Sequence, residues 1–301
     1  MSKLPSLHNS LAKTVLCLSL LLPAAGCSVN YTGERLFWKA QRLSLPIGKN
    51  PSKATPAQMT AARAAYEAVI ARAPGTAWAG RSQLAVGSLY AVEKDFPRAR
   101  DAYALVLQNY NAFKELCLSA RVAIAKTHEL ERHWDETREA YRDIAEHHPW
   151  SMPGLQAPLY IARIHEQHQQ QEEATKAYER ALRIYNKLLL DAPTPELATQ
   201  VKGFLVMADQ RLGRWDDAVK TLQELLAAPA GTNRPLALIT LGAIYQTKLH
   251  DPVEAQAAFT TLVQEFPEHP FGKAAKAQLE RMGVALPAAP APSTATPPVT
   301  H

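Results

Sequence analysis

The chain has 301 residues, 47% of them hydrophobic and 20% charged, which is enough apolar material to bury a sizeable core. Its formal charge of +5 falls to +3 once the two lysines of the first 26 residues are set aside. No dense Lys/Arg stripe interleaved with aromatics occurs, so nucleic-acid binding lacks its electrostatic footprint.

The first 26 residues read as a signal peptide. Lys3 and Lys13 occur without any acid, and "TVLCLSLLL" then supplies a short apolar run before Pro23. A bilayer span needs about 20 such residues, so this run is too short to be one. The exit "LLPAAGCSVN" resembles the lipobox of bacterial lipoproteins, with Gly26 before the cut and Cys27 as the residue to be acylated. Ala24 stands where leucine is commoner, and an ordinary secretory cut leaving Cys27 as a free thiol is the alternative. The lipobox resemblance implies several acyl chains on Cys27, and two or more anchor a protein stably to a membrane. It also implies, through Ser28 after the cysteine, export to the outer membrane with the chain facing the periplasm. Residues 27–33 then form a lipidated tether. Of the other cysteines, Cys17 leaves with the signal, and Cys117, in "ELCLSARVAIA", reads as a buried small hydrophobe.

Residues 34–283 carry a repeated pattern. A small or β-branched residue precedes a bulky one by four positions at Ala62/Tyr66, Ala99/Tyr103, Thr137/Tyr141, Ala174/Tyr178, Ala218/Leu222 and Ala255/Phe259. Four residues is one helical turn, so each pair shares a face and the small member admits a neighbouring helix. The bulky members are spaced by 37, 38, 37, 44 and 37 residues. Upstream of most pairs lies a second signature, with Gly87, Ala125, Ala162 and Gly242 followed three residues later by Tyr90, His128, His165 and Tyr245. Each unit therefore reads as helix A, a short turn and helix B, sometimes closed by a proline such as Pro74, Pro149 or Pro267.

A small residue, a ring, a second small residue, an aromatic and a closing proline at these intervals resemble the tetratricopeptide repeat (TPR) over roughly residues 55 to 283. The resemblance implies an all-α fold: a right-handed TPR-type α-solenoid of antiparallel helix pairs. About five full repeats are expected, preceded by a partial unit and followed by a capping helix in "PFGKAAKAQLERMG". The units depart from the family pattern in three ways. They run longer than the usual ~34 residues. "KLLLDAPTPE" predicts a helix B that overshoots before a Pro-rich turn, and the fourth unit has Val206 and Asp209 where the small residue and the ring belong. "GERLFWKAQRL" is expected to dock against the helix bearing Tyr66. Residues 284–301, rich in Pro and Ala, read as a disordered tail, with a polyproline ligand or spacer as the functional alternative.

No catalytic constellation emerges. "HEQH" at 165–168 is one residue short of the spacing that gives two imidazoles to one metal, and "EHHPW" at 146–150 sits at a helix C-terminus, where histidines suit the macrodipole. No nucleophile elbow, Walker loop, dinucleotide fingerprint or Cys-x-x-Cys is present, so the expectation is a non-enzyme without metal or cofactor. Trp134 and Trp215, in "HWD" and "RWD", are expected to pack at the A-to-B corners.

The family resemblance implies that partners bind a concave surface lined by four positions of each helix A. In this chain they are Arg81, Leu84, Ser88 and Ala91; Ser119, Val122, Lys126 and Glu129; Gln156, Leu159, Arg163 and Glu166; Gln200, Gly203, Met207 and Gln210; and Leu236, Ile239, Ala243 and Gln246. Arg81, Lys126, Arg163, Gln200, Met207 and Gln246 are the candidate partner contacts. Lys126 and Arg163 have a second reading, as solvated residues paired at i, i+3 with Glu129 and Glu166. The final units resemble those of outer-membrane lipoproteins that serve β-barrel assembly and of periplasmic proteins that coordinate envelope constriction. The expected role is a lipid-anchored scaffold for envelope protein partners. A glycan- or peptidoglycan-handling accessory or enzyme with a solenoid binding groove is the alternative, although the groove positions contain no aromatic residue.

Overall fold

The computed structural model describes the backbone of residues 8–228 and 233–284, with side chains from residue 28. The signal-peptide reading, the Cys27 side chain and the tail beyond residue 284 lie outside the described residues. Within them the chain is all-α, with thirteen α-helices and no strand. A first compact unit, residues 1–148, holds α1 (His8–Lys49), α2 (Pro56–Arg72), α3 (Ala77–Val92), α4 (Phe96–Asn109), α5 (Lys114–Glu131) and α6 (Trp134–His147). A second, residues 149–301, holds α7 (Met152–Gln167), α8 (Gln171–Leu190), α9 (Pro195–Leu212), α10 (Trp215–Ala227), α11 (Arg234–Ile244), α12 (Pro252–Glu265) and α13 (Pro270–Arg281). In each unit every helix packs on its sequence neighbours, and α3 with α5, α7 with α9 and α11 with α13 also touch. These are TPR-type antiparallel helix pairs. Among the described residues no helix is long and apolar enough to cross a membrane.

The repeat residues sit in the seams that the sequence pattern demands. A Cβ built on Gly87 would lie 2.4 Å from Cε1 of Tyr103, and one on Gly242 would lie 2.4 Å from Cε1 of Phe259. The glycine of helix A is therefore the floor on which the helix B ring rests. Ala162, Ala174 and Tyr178 make the same joint in α7 and α8. The fourth repeat exchanges the sizes: Val206 and Leu222 are both buried in the α9–α13 core, a larger residue on helix A facing a smaller one on helix B. That swap keeps the seam filled without a ring, in line with the tolerance of cores for volume-conserving exchanges.

The 44-residue interval has an equally simple account. Helix α8 runs for 20 residues, against 14 for α4 and α6. The surplus over a 37-residue interval is about two helical turns, so the longer helix returns to the same face. The added turns carry Tyr185, fully buried, whose hydroxyl donates to the Leu155 carbonyl at 2.7 Å. Its ring stacks on Phe204 at 5.6 Å.

Turns repeat as faithfully as helices. Helix B passes to helix A through residues 73–76, 110–113 and 266–269, each opening with one non-helical residue (Ala73, Tyr110, Phe266) whose N–H still bonds the helix just ended. Helix A passes to helix B through a tighter corner. At the first, Asp95 N–H donates to Tyr90 O at 2.9 Å and Lys94 N–H to Ala91 O at 3.0 Å, with Lys94 left-handed at φ 61°. This is the Schellman closure, which satisfies carbonyls the helix leaves open. The same pair of bonds recurs at His133/His128, Gln170/His165 and Arg214/Asp209, around left-handed Arg132, Gln169 and Gly213. The fifth corner is widened by a π-helical turn, Tyr245–Leu249, before left-handed His250. That turn absorbs the extra residue between Gly242 and Phe259, which lie 17 apart where Gly87 and Tyr103 lie 16 apart.

At the amino end, Phe37 of α1 meets Tyr66 at 5.8 Å and Trp78 at 5.2 Å, and the Tyr66 hydroxyl lies 2.8 Å from Ser44 Oγ. The docking expected of "GERLFWKAQRL" is thus observed. Cys117 is buried, its Sγ 3.6 Å from the Tyr110 carbonyl. Trp215 is half-buried against the α9–α13 core with Lys248 Nζ 5.0 Å from its ring centre, and Trp134 is also half-buried.

Candidate partner-binding groove

The exposed stripe of each helix A follows one rule. The first and third positions of the expected groove set are exposed in all five helices: Arg81 and Ser88, Ser119 and Lys126, Gln156 and Arg163, Gln200 and Met207, Leu236 and Ala243. The second and fourth are half-buried in all five: Leu84 and Ala91, Val122 and Glu129, Leu159 and Glu166, Gly203 and Gln210, Ile239 and Gln246. A three- or four-residue step keeps these side chains on one face.

The charged candidates have local partners. Arg81 lies over the Trp78 ring, 4.7 Å from its centre, a contact that sequence spacing had not suggested. Lys126 pairs with Glu129 at 2.7 Å, the i, i+3 pairing of its second reading, and Glu129 holds the lysine above its usual pKa. Arg163 does not pair with Glu166. Its guanidinium lies 5.1 Å from the Tyr160 ring centre. Glu166 instead accepts from the Tyr178 hydroxyl at 2.9 Å and from Arg211 at 3.2 Å. Burial, reinforced by this bond to a carboxylate, pushes the Tyr178 phenol up to about 12. The i, i+3 rule saw only one helix and missed two partners reaching across from others. Lys126 belongs to the first unit and Arg163 to the second.

In the second unit the stripe becomes a hollow. A groove of about 650 Å³ is lined by Gln200, Gly203, Phe204, Met207 and Gln210 of α9, Leu236 and Ala237 of α11, Met152 of α7, and Asn233 before α11. Met152 is 48% exposed, Met207 51% and Leu236 47%, so the groove gathers three exposed large apolar side chains in one place. Nothing lies within 4 Å of a Cβ built on Gly203, so α9 is bare at the middle of the groove. Among the described residues the polar lining consists of amides and hydroxyls, Gln200, Gln210, Asn233, Thr199 and Thr240, with no charged group. Of the sequence candidates, Gln200 and Met207 line this groove, whereas Gln246, on the π turn, does not. Met152, Phe204 and Asn233 were missed. Met152 and Asn233 lie before or at the start of a helix, outside the counted stripe.

A second hollow, of about 560 Å³, lies against α8, α9 and α10. Arg183, Lys202, Arg214 and Lys220 line it together with Glu179, Asp209, Asp217 and Glu224. Lys202 pairs with Glu224 at 2.8 Å and Arg214 with Glu179 at 3.6 Å. Asp209, only 5% exposed, stands where the other repeats place a ring. Burial, with Asp217 adding repulsion and Arg214 opposing both, pushes its carboxyl up to about 6. Sequence did single out Asp209 as an irregular residue, but not the charges gathered around it.

No family model matches the chain, and no curated protein matches it. Solved structures are similar at low identity. YrrB, a TPR protein described as having an unusual peptide-binding site, is 13% identical, with 70% of this chain and 97% of that one covered at a TM-score of 0.40. BtubC from P. vanneervenii is 18% identical over 92% of this chain and 99% of its own, with a TM-score of 0.40. A tetratricopeptide repeat protein from Parabacteroides merdae is 12% identical over 83% and 98%, with a TM-score of 0.37.

Proposed function

We propose that this protein is a non-catalytic scaffold, lipid-anchored through Cys27 to the periplasmic face of the outer membrane, that holds a peptide segment of an envelope protein in the groove of its second unit. One observation carries the reading: exposed Met152, Met207 and Leu236 surround bare Gly203, rimmed by uncharged amides. Apolar side chains of a partner would fill the floor, and Gln200, Gln210 and Asn233 would hydrogen-bond its main chain. Methionine adapts its shape readily, which suits a surface that grips segments of varied sequence. With no charge in the lining, the favoured segment is amphipathic and uncharged where it touches. Anchoring rests on the lipobox-like "LPAAGC" and on the acyl chains it implies.

The test places a photo-crosslinking residue at Met207 in cells and compares capture with and without Gly203→Trp, which fills the groove from an exposed helix face. A discrete protein adduct that Gly203→Trp abolishes, with helicity unchanged, supports the reading. Capture of glycan, or an adduct indifferent to Gly203→Trp, overturns it. Cys27→Ala should release the chain from the membrane fraction; retention of that variant refutes the anchor.

A further inference from the structure

The repeated A-to-B corner provides an internal control on its own side chains. Its closure always juxtaposes the residue five places before the end of the motif with the one that ends it: Tyr90 with Asp95, His128 with His133, His165 with Gln170, Asp209 with Arg214. The later pairs are complementary. His165 Nδ1 bonds Gln170 Oε1 at 2.7 Å, and Arg214 favours the ionised carboxylate of Asp209.

The α5–α6 corner differs. Its juxtaposed residues are two imidazoles, their centres 6.4 Å apart, and His128 Nδ1 is buried with no hydrogen-bond partner. Glu131, the last residue of α5, brings a carboxylate oxygen to 3.6 Å from His133 Nδ1. One ring nitrogen from each histidine and one Glu131 oxygen all lie within 4.8 Å of one another.

We propose that His128, Glu131 and His133 form a binding site for a divalent transition-metal ion of the zinc class. Two imidazoles and one carboxylate are a ligand set that suits such an ion, with water completing the shell. Bonds of about 2.0–2.2 Å place tetrahedral ligands about 3.4 Å apart, so no pair of the three atoms need draw together by more than about 1.4 Å. His133 has the freedom to do so, because its side chain is 51% exposed. The backbone beneath is fixed by the corner's two hydrogen bonds. Arg100 donates to Glu131 and is the competing cation. A carboxylate has about four acceptor positions, so that bond leaves capacity for the ion. A bound ion would tie the last turn of α5 to the first residue before α6.

The test titrates Zn²⁺ into the full chain, purified without a histidine tag in detergent, against His133→Gln and His168→Gln. His133→Gln copies the complementary pair of the next corner and keeps the fold. Zn²⁺ should bind with one equivalent, raise Tm, and shift the ring resonances of His128 and His133 before other histidines. His133→Gln should weaken binding about tenfold or more, as loss of supporting groups alone does, whereas His168→Gln should leave it unchanged. Equal binding by wild type and His133→Gln would mean an adventitious ion only, and no saturable binding up to millimolar Zn²⁺ would end the proposal.

Discussion

The same substitution should have opposite effects at two glycines. Gly87 and Gly203 both lie inside A helices, α3 and α9, where alanine is intrinsically better by about 0.8–1 kcal/mol. At Gly203 a new methyl meets nothing within 4 Å, so Gly203→Ala should realise most of that gain. At Gly87 it would stand 2.4, 2.7 and 2.9 Å from Cε1, Cδ1 and Cζ of Tyr103. Tyr103 is 3% exposed and cannot swing aside into solvent. Overpacking of this kind costs about 1–3 kcal/mol, which outweighs the propensity gain or cancels it. Gly203→Ala should therefore exceed Gly87→Ala in stability by about 1–3 kcal/mol, the overpacking cost alone. Urea unfolding followed by far-UV circular dichroism measures the difference, analysed for a repeat chain rather than assumed two-state. Tyr103→Leu in the Gly87→Ala background should remove most of the clash, and the double-mutant cycle isolates that coupling. If Gly87→Ala stabilises as much as Gly203→Ala, the seam does not have the geometry argued above.

Asp209→Asn should raise stability at pH 7, because the ionised carboxylate is held in a buried setting that favours its neutral form. The folded pKa of about 6 lies above the ordinary aspartate value of 3.8, so the folded state binds more protons between those values. Wild-type stability relative to Asp209→Asn should rise as pH falls from about 6 to about 4, then level off; a flat difference across that window would refute the assignment. Tyr185→Phe removes the hydroxyl that donates to Leu155 O and should cost about 1 kcal/mol by chemical denaturation. Restoring the repeat pattern in α9 and α10 with Val206→Ala, Asp209→Tyr and Leu222→Tyr should raise Tm yet abolish photo-crosslinking from position 207, and unaltered capture would show that the groove does not depend on the irregular seam.

Much of the fold was legible in the sequence because the seams leave little choice. A ring on helix B needs a small residue opposite, and that constraint writes Gly87, Ala162 and Gly242 into the chain 16 or 17 residues before Tyr103, Tyr178 and Phe259. The stripe of groove positions followed from the same register. What sequence could not give was the polar pairing that crosses between helices. Glu166 was assigned to Arg163 by local spacing, yet Tyr178 and Arg211 claim it. The encounter of His128 with His133 depends on a corner whose left-handed residue is Arg132, not the glycine that usually announces such a turn. Nor does spacing reveal that Lys202, of α9, and Glu224, of α10, meet at 2.8 Å beside Asp209.

The apolar groove and the charged hollow both border α9, and α9 is the helix A that lacks the small residue and the ring. The two facts are connected. Where Gly87 or Gly242 receives a ring, the seam is closed by one large side chain; with Val206 against Leu222, and Asp209 in place of a ring, closure is shared among smaller groups. Gly203 then leaves the exposed face of the same helix without a side chain at the groove's centre. An irregular repeat within a regular array forfeits packing, and natural sequences relax local rules chiefly where something other than stability is being served. The buried Asp209, carried at a cost to the neutral-pH fold, fits that logic better than drift alone, since asparagine or leucine would occupy the position more cheaply. The proposed binding function is therefore best sought around α9, where the repeat stops obeying its own pattern.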